Sequence, residues 1–378
     1  MHRNALAAVA VASVALVGST ALLTIAGPVD PPEGPVASTY KTLTEVEPRT
    51  PISLATTPGD EDSLFKITQP GSYYLTANVD GVADFRAIEI DASRVTIDLM
   101  GFTLQGVPGS LEGIATTANF DDLAVRRGTV AGFGGAGVDL ARAGSGIGAV
   151  VEGVHATSNG EAGIRAGSHA AVRDCTATLN AGDGIVVGAG ATVSGCVASA
   201  NSGDGLSAGD TCTIAACTAT ANVGRGIVAG AGGSITASTA ASNASSGIVA
   251  GNGCLIAGCV ARSNALDGVQ VLSASVVRDN LCTNNGATGL GFNVHAVGTD
   301  NRVEGNTCVG ADRGISVAVA GNIIVRNTCT GNAINYLIVA DNVYGPIIDR
   351  RMPASPGVNG SAAASTLATT DANANFAY

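Results

Sequence analysis

Between Gly184 and Asp204 the apolar positions fall into three short bursts. Ile185 and Val187 flank Val186 in the first. Val193 is the apolar centre of the second, and Cys196 and Ala198 alternate with Val197 and Ser199 in the third. Alternation of period two predicts short strands. Gly188 to Gly190 and Asn201 to Gly205 supply turns. No gap is long enough for a helix of about ten residues, and no Leu-x-x-Leu-x-Leu frame is present.

The unit repeats. Gly followed by Ile, Leu or Val stands at Gly163, Gly184, Gly205, Gly226, Gly247, Gly268 and Gly289, each 21 residues after the last. Asn keeps the same step from Asn159 through Asn180, Asn201, Asn222, Asn243 and Asn264 to Asn285. Looser copies occur at Gly113-Ile114, Gly137-Val138 and Gly314-Ile315. A fixed period in the twenties indicates a solenoid. Three strands and three turns per period predict an all-β, right-handed parallel β-helix of about a dozen coils. An inward file of Ile164, Ile185, Leu206, Ile227, Ile248, Val269 and Leu290 is expected to hold the coils together, each buried side chain contributing roughly 1.5–3 kcal/mol. The Asn file is expected at a turn, its amides stacked from coil to coil.

Punctuation divides the chain. His2 and Arg3 precede an uncharged apolar run, Ala5 to Ala26, ending in small residues. This reads as a signal peptide over 1–26, cleaved after Ala26 or kept as an anchor, and places the protein in the periplasm, at the cell surface or outside the cell. A Pro-rich leader is expected over 27–63, an N-terminal cap over 64–86, the β-helix over 87–340, and a C-terminal cap with a low-complexity tail over 341–378. Phe376 and Tyr378 are expected to pack back on the last coil.

Composition narrows the possibilities. The 378 residues include 52 Gly and no Trp, with only 3% aromatic and 13% charged positions. Hydrophobic residues at 46% exclude a disordered chain. The net charge of −11 and the absence of a basic stripe argue against nucleic-acid binding and attraction to anionic lipid.

The segment Leu64 to Ile67, the run Pro70-Gly71-Ser72-Tyr73-Tyr74-Leu75-Thr76, Val95 to Leu99 and Gly101 to Leu104 resemble the opening of exported bacterial right-handed parallel β-helix proteins. Tyr40 to Arg49 and the ending Ala374-Asn375-Phe376-Ala377-Tyr378 are similar to the same group. The resemblance implies the pectate-lyase-like fold and leaves the activity open, because that fold hosts lyases, hydrolases, epimerases and adhesins. The Asp-Pro-His-Asp motif of alginate epimerases is missing, as is the Asn-Thr-Asp, Gly-His-Gly and Arg-Ile-Lys set of polygalacturonases.

In that superfamily substrates usually lie along the first sheet. Strand alternation predicts its outward file as Glu89, Ala115, Asp139, Arg165, Val186, Ser207, Val228, Val249, Gln270, Gly291 and Ser316. From Val186 onward this face offers no acid or base. The apolar stripe Val186, Val228 and Val249 is the candidate binding face. Asp139 and Asp183, as carboxylates, and Arg165, as their partner, are the catalytic candidates, with Glu112 and Glu161 close by. Their alternative is a surface ion pair. Asp300, Arg302, Glu304, Asp312 and Arg313 form a second-choice site, in or after a loop expected over Asn293 to Asp300, where the Gly interval lengthens from 21 to 25.

Other patterns are weaker. Asp183, Asp204 and Asp267 share a turn position that could hold Ca²⁺ or simply make tight turns. Cys175, Cys196 and Cys217 share a column with Cys259. Cys282, Cys308 and Cys329 form another, and Cys212 and Cys254 lie 42 apart. None has zinc-site spacing. An inward thiol stack is expected, with adjacent-coil disulfides permitted by export. His155, His169 and His295 fall at different phases and are expected on the surface. An outward Thr ladder through Thr176, Thr218 and Thr239 suggests ice binding, but Val260 and Arg262 interrupt it. The expected function is an exported scaffold that binds a glycan or a surface protein without catalysis or a resident metal. A polysaccharide lyase, hydrolase or epimerase is the alternative.

Overall fold

The computed structural model describes residues 47–141, 147–286, 289, 291–349 and 369–377. The chain divides into two units, residues 1–48 and 49–378, and every described strand belongs to the second. The expected signal segment and most of the expected leader lie outside the described residues. No described helix is long and apolar enough to cross a membrane.

Each coil is made of three short strands, as the periodicity predicts. In one coil they are Ile185–Val187, Thr192–Ser194 and Val197–Ser199. The first strands of successive coils stack in parallel into a thirteen-stranded sheet, from Ser63–Ile67 to Ile334–Ile338. We call this the front wall. Second and third strands form the other two walls, joined where Ala124–Ala131 and Val150–Thr157 run through the corner between them. The ends of the described chain close on the same scheme. Thr50–Pro51 pairs with Gly71–Tyr74, and Asn375–Ala377 aligns Ala377 with Cys329. Phe376 thus returns to the last coil through its backbone, while its side chain stays exposed.

Register follows the period. Ile164, Ile185, Leu206, Ile227, Ile248 and Val269 stand one above another and are fully buried. The file then continues through Val294 rather than Leu290. Leu290 itself lies outside the described residues. The Gly289-Leu290 pair imitates the repeat, but the N–H of Gly268 donates to the Phe292 carbonyl at 2.7 Å, so Phe292 and Asn293 occupy the turn and glycine positions of that coil. The extra residues therefore lie before Phe292, and the expected loop at 293–300 is corrected. One further residue enters between Ala296 and Arg302, so that Val276 aligns with Arg302, 26 positions on.

Two devices turn the chain at each coil. The first is the buried Asn file. Asn201 Nδ2 donates to Asn222 Oδ1 at 3.0 Å and to the Ala177 carbonyl at 3.1 Å, and Asn201 N donates to the same Oδ1 at 3.1 Å. Buried amides are kept only when so satisfied. Where the file reaches Ala311, which has no amide, Asn293 inserts its own between Asn285 (2.8 Å) and Asn332 (3.1 Å). The second device is a left-handed backbone position at each corner. In one coil these are His169, Asp174 and Leu179, with φ of 55°, 53° and 58°. Later coils place Gly190, Gly195 and Ala200, then Thr211, Ala216 and Ala221, at the same corners. Non-glycine residues there cost roughly 1–2 kcal/mol each, which stacking offsets.

All nine cysteines are free and buried. Those preceding third strands hydrogen-bond to carbonyls, as when Cys196 Sγ donates to the Ser194 carbonyl at 3.3 Å.

Candidate functional site

The outward file of the front wall runs Lys66, Glu89, Ala115, Asp139, Arg165, Val186, Ser207, Val228, Val249, Gln270, His295, Ser316 and Leu337. The residue aligned with Gln270 is His295, not Gly291, because the extra residues before Phe292 delay the restart of that coil. The middle is chemically quiet, with Val186, Val228 and Val249 half-buried and Ser207 among them. Charge gathers at both ends.

At the N-terminal end, Lys66 Nζ lies 2.6 Å from Glu89 Oε1 and 2.9 Å from Asp60 Oδ2. Hydrogen bonds to Glu89 and then Asp60 raise the Lys66 ammonium above its usual range. The same Lys66 bond, aided by Ser63, holds Asp60 well below the carboxylate norm. Arg86 binds Asp62 and reaches Glu112 Oε2 at 2.9 Å through Nε. Oxygens of Asp60, Asp62 and Glu89 lie within 4.8 Å of one another, a spacing suited to a cation. The Lys66 ammonium and the Arg86 guanidinium already supply the positive charge.

Asp139 and Arg165 do meet, Arg165 Nη1 donating to Asp139 Oδ2 at 2.7 Å. Asp139 is buried, and its other oxygen accepts the Ala141 N–H at 3.1 Å. Glu161 stands 3.6 Å from Arg165, whereas Glu112 joins Arg86. Asp183 is elsewhere, its Oδ1 accepting the Asp204 N–H at 2.7 Å. Asp204 in turn caps the Arg225 N–H and binds that guanidinium, Nη2 to Oδ2, at 2.7 Å. These turn aspartates therefore cap backbone of the next coil.

At the C-terminal end stands a group the repeat pattern did not reveal. Asp267 Oδ1 accepts the Phe292 N–H at 3.0 Å, and Asp267 Oδ2 lies 3.0 Å from His295 Nδ1. The Phe292 and His295 rings approach to 4.1 Å between centroids. The Arg313 guanidinium lies 5.0 Å from the Phe292 centroid on its other neighbour coil. A carboxylate on Nδ1 fixes an imidazole tautomer and leaves Nε2 to accept a proton. His295 escaped the sequence because insertion shifts its phase. The signal was the strand-like alternation Phe292-Asn293-Val294-His295-Ala296. Of the second-choice group, Arg313 belongs here. Arg302 and Glu304 lie on the second wall, where they pair with each other and Glu304 binds Arg326.

The right-handed β-helix region family matches residues 112–254. The chain is a right-handed β-helix repeat protein. No curated protein matches its sequence. Among solved structures, this β-helix protein is similar to the A-module of mannuronan C-5 epimerase AlgE6 from Azotobacter vinelandii. The likeness has 16% identity and a TM-score of 0.54, over 81% of this chain and 89% of that one. The AlgE4 A-module of the same organism gives 14% identity and a TM-score of 0.50, over 84% and 88%. At such identity the likeness is one of fold.

Proposed function

We propose that this β-helix protein is a carbohydrate-acting, exported protein that holds a glycan along its front wall, at the cell surface or outside the cell. The observation that carries the reading is the outward file, in register over successive coils. It presents Val186, Val228 and Val249 as apolar platforms for sugar C–H faces, with Ser207 and Gln270 as hydrogen-bonding groups between and beside them. Glycan modification by the two similar epimerase modules agrees with it as an analogy of fold. A glycan array probed with the full chain tests it. The triple variant Val186→Lys, Val228→Lys, Val249→Lys is expected to lose binding at least tenfold, a loss of about 1.4 kcal/mol. Equal binding by the variant overturns the proposal.

The His295–Asp267 pair favours a second reading, that bound glycan is also modified. Nε2 of His295 would serve as general base or acid, and Arg313 would offer charge to an acidic sugar. The test is product release from a panel of uronate-containing polysaccharides.

A further inference from the structure

The third wall carries Cys282, Cys308 and Cys329 on three successive coils, each aligned with the next. All three are fully buried. Cys175, Cys196 and Cys217 form a comparable stack whose thiols also hydrogen-bond to one another, but their Sγ atoms donate to carbonyls at 3.2–3.6 Å as well. The difference comes from position. Cys175 stands at a corner, beside carbonyls that the bend leaves accessible. Cys282 is the inward centre of the strand Leu281–Thr283, where neighbouring coils already use the carbonyls. The Cys308 thiol is thus left with Cys282 and Cys329, with which it shares hydrogen bonds on either side.

Spacing limits what this file can do. Parallel in-register strands lie about 4.8 Å apart, and their Cβ vectors run side by side. A disulfide needs its Cβ atoms about 3.5–4.5 Å apart, so joining two of these cysteines requires the coils to pinch together. A thiolate–metal bond is about 2.3 Å. Two such bonds in line span about 4.6 Å, close to the coil repeat itself. Tetrahedral zinc needs four ligands, and the file offers neighbours only above and below.

We propose that the Cys282–Cys308–Cys329 file is a binding site for a soft, linear two-coordinate cation, held between Cys308 and one neighbouring thiolate. Two S–H protons leave as two metal–sulfur bonds form. With a divalent ion the product carries no net charge, so the dry core accepts it without an unpaired ion. Thiolate softness selects such ions over oxygen-loving ones.

The probe is Hg(II), added to the full-length folded protein and, in parallel, present during its refolding. Bound ion is counted by mass spectrometry after washing with a monothiol competitor. The wild-type file is expected to retain one Hg(II) in at least one of the two preparations and no Zn(II). Cys308→Ala leaves Cys282 and Cys329 two coils apart, and it should weaken retention at least 100-fold. Cys282→Ala keeps the Cys308–Cys329 pair and should retain the ion. Cys196→Ala, which interrupts the other thiol file, should leave that retained ion in place. If Cys308→Ala does not fold, the double variant Cys282→Ala, Cys329→Ala removes both neighbours of Cys308 instead. Undiminished retention by either disabling variant, or no retention by the wild type in both preparations, overturns the proposal.

Discussion

His295 Nδ1 lies 3.0 Å from Asp267 Oδ2, across one coil of the front wall and 28 positions of sequence. Without the inserted residues before Phe292, this phase of the coil would present another side chain to Asp267. The pair is thus a product of the insertion, and Phe292 stacks beside it for the same reason.

If bound glycan is modified, His295→Ala should lower product release by about 10²–10⁴-fold, the usual worth of a positioned proton-transfer group. Asp267→Asn should lower turnover too, because Nδ1 loses its anionic partner. Glycan binding should survive both changes, since the apolar stripe is untouched. Steady-state rates set beside array binding separate the two effects. Loss of binding in place of turnover would assign the pair to recognition.

The Asn file should dominate local stability. Asn222→Ala removes one of the two acceptors of Asn201 Nδ2, which keeps the Ala177 carbonyl, and the side-chain acceptor of the Asn201 N–H, both buried. Unsatisfied buried groups cost about 1–3 kcal/mol each. The denaturation midpoint should fall accordingly, whereas Asn252→Ala in an exposed turn should shift it far less.

Small residues have opposite meanings at two positions. A Cβ on Gly226 would sit 2.5 Å from the Gly247 carbonyl and 2.6 Å from Asn243 Nδ2. Gly226→Ala should therefore destabilise, by about 1–3 kcal/mol for forced overpacking. Ala216 has a φ of 52°, and Ala216→Gly should stabilise by up to about 1 kcal/mol as that strain is relieved. Equilibrium unfolding of both variants checks the signs.

Acid should loosen the N-terminal coils first. Lys66 and Ser63 hold Asp60 below its usual range. Burial opposes ionisation of Asp98, but hydrogen bonds from Arg127 and the Met100 N–H, with the charges of Arg127 and Arg49, outweigh it and leave Asp98 lowered. A depressed carboxyl contributes stability above its unfolded value, near pH 4, and that contribution is lost as pH falls through the folded value. Hydrogen exchange should show Ser63–Ile67 and Val95–Asp98 losing protection at about pH 3 relative to about pH 6. The central coils around Asn222 should change less. Uniform protection along the solenoid at both values would contradict a charge-held N-terminal end.

The architecture was legible because one constraint repeats. Each coil must bury an apolar side chain at the position already buried in the coil below, so period, strand number and the inward file from Ile164 to Val269 can be read directly. The middle of the front wall was legible for the same reason. The alternation that buries Ile185 turns Val186 outward. The pairing of Asp139 with Arg165 also follows from adjacent rungs, although only the structure gives the burial of Asp139 and its second bond to Ala141.

Where the repeat breaks, sequence lost its ruler. Gly289-Leu290 carries the right letters at the right interval, yet Gly289 falls in a turn and the coil restarts at Asn293. That choice lets Val294 fill the core and lets Asn293 supply the amide missing at Ala311. The sequence by itself determined the rise of equivalent side chains in vertical files. The tertiary structure decided which residues join them after the insertion, because register is selected by burial and hydrogen bonding summed across neighbouring coils, and no local pattern contains that sum.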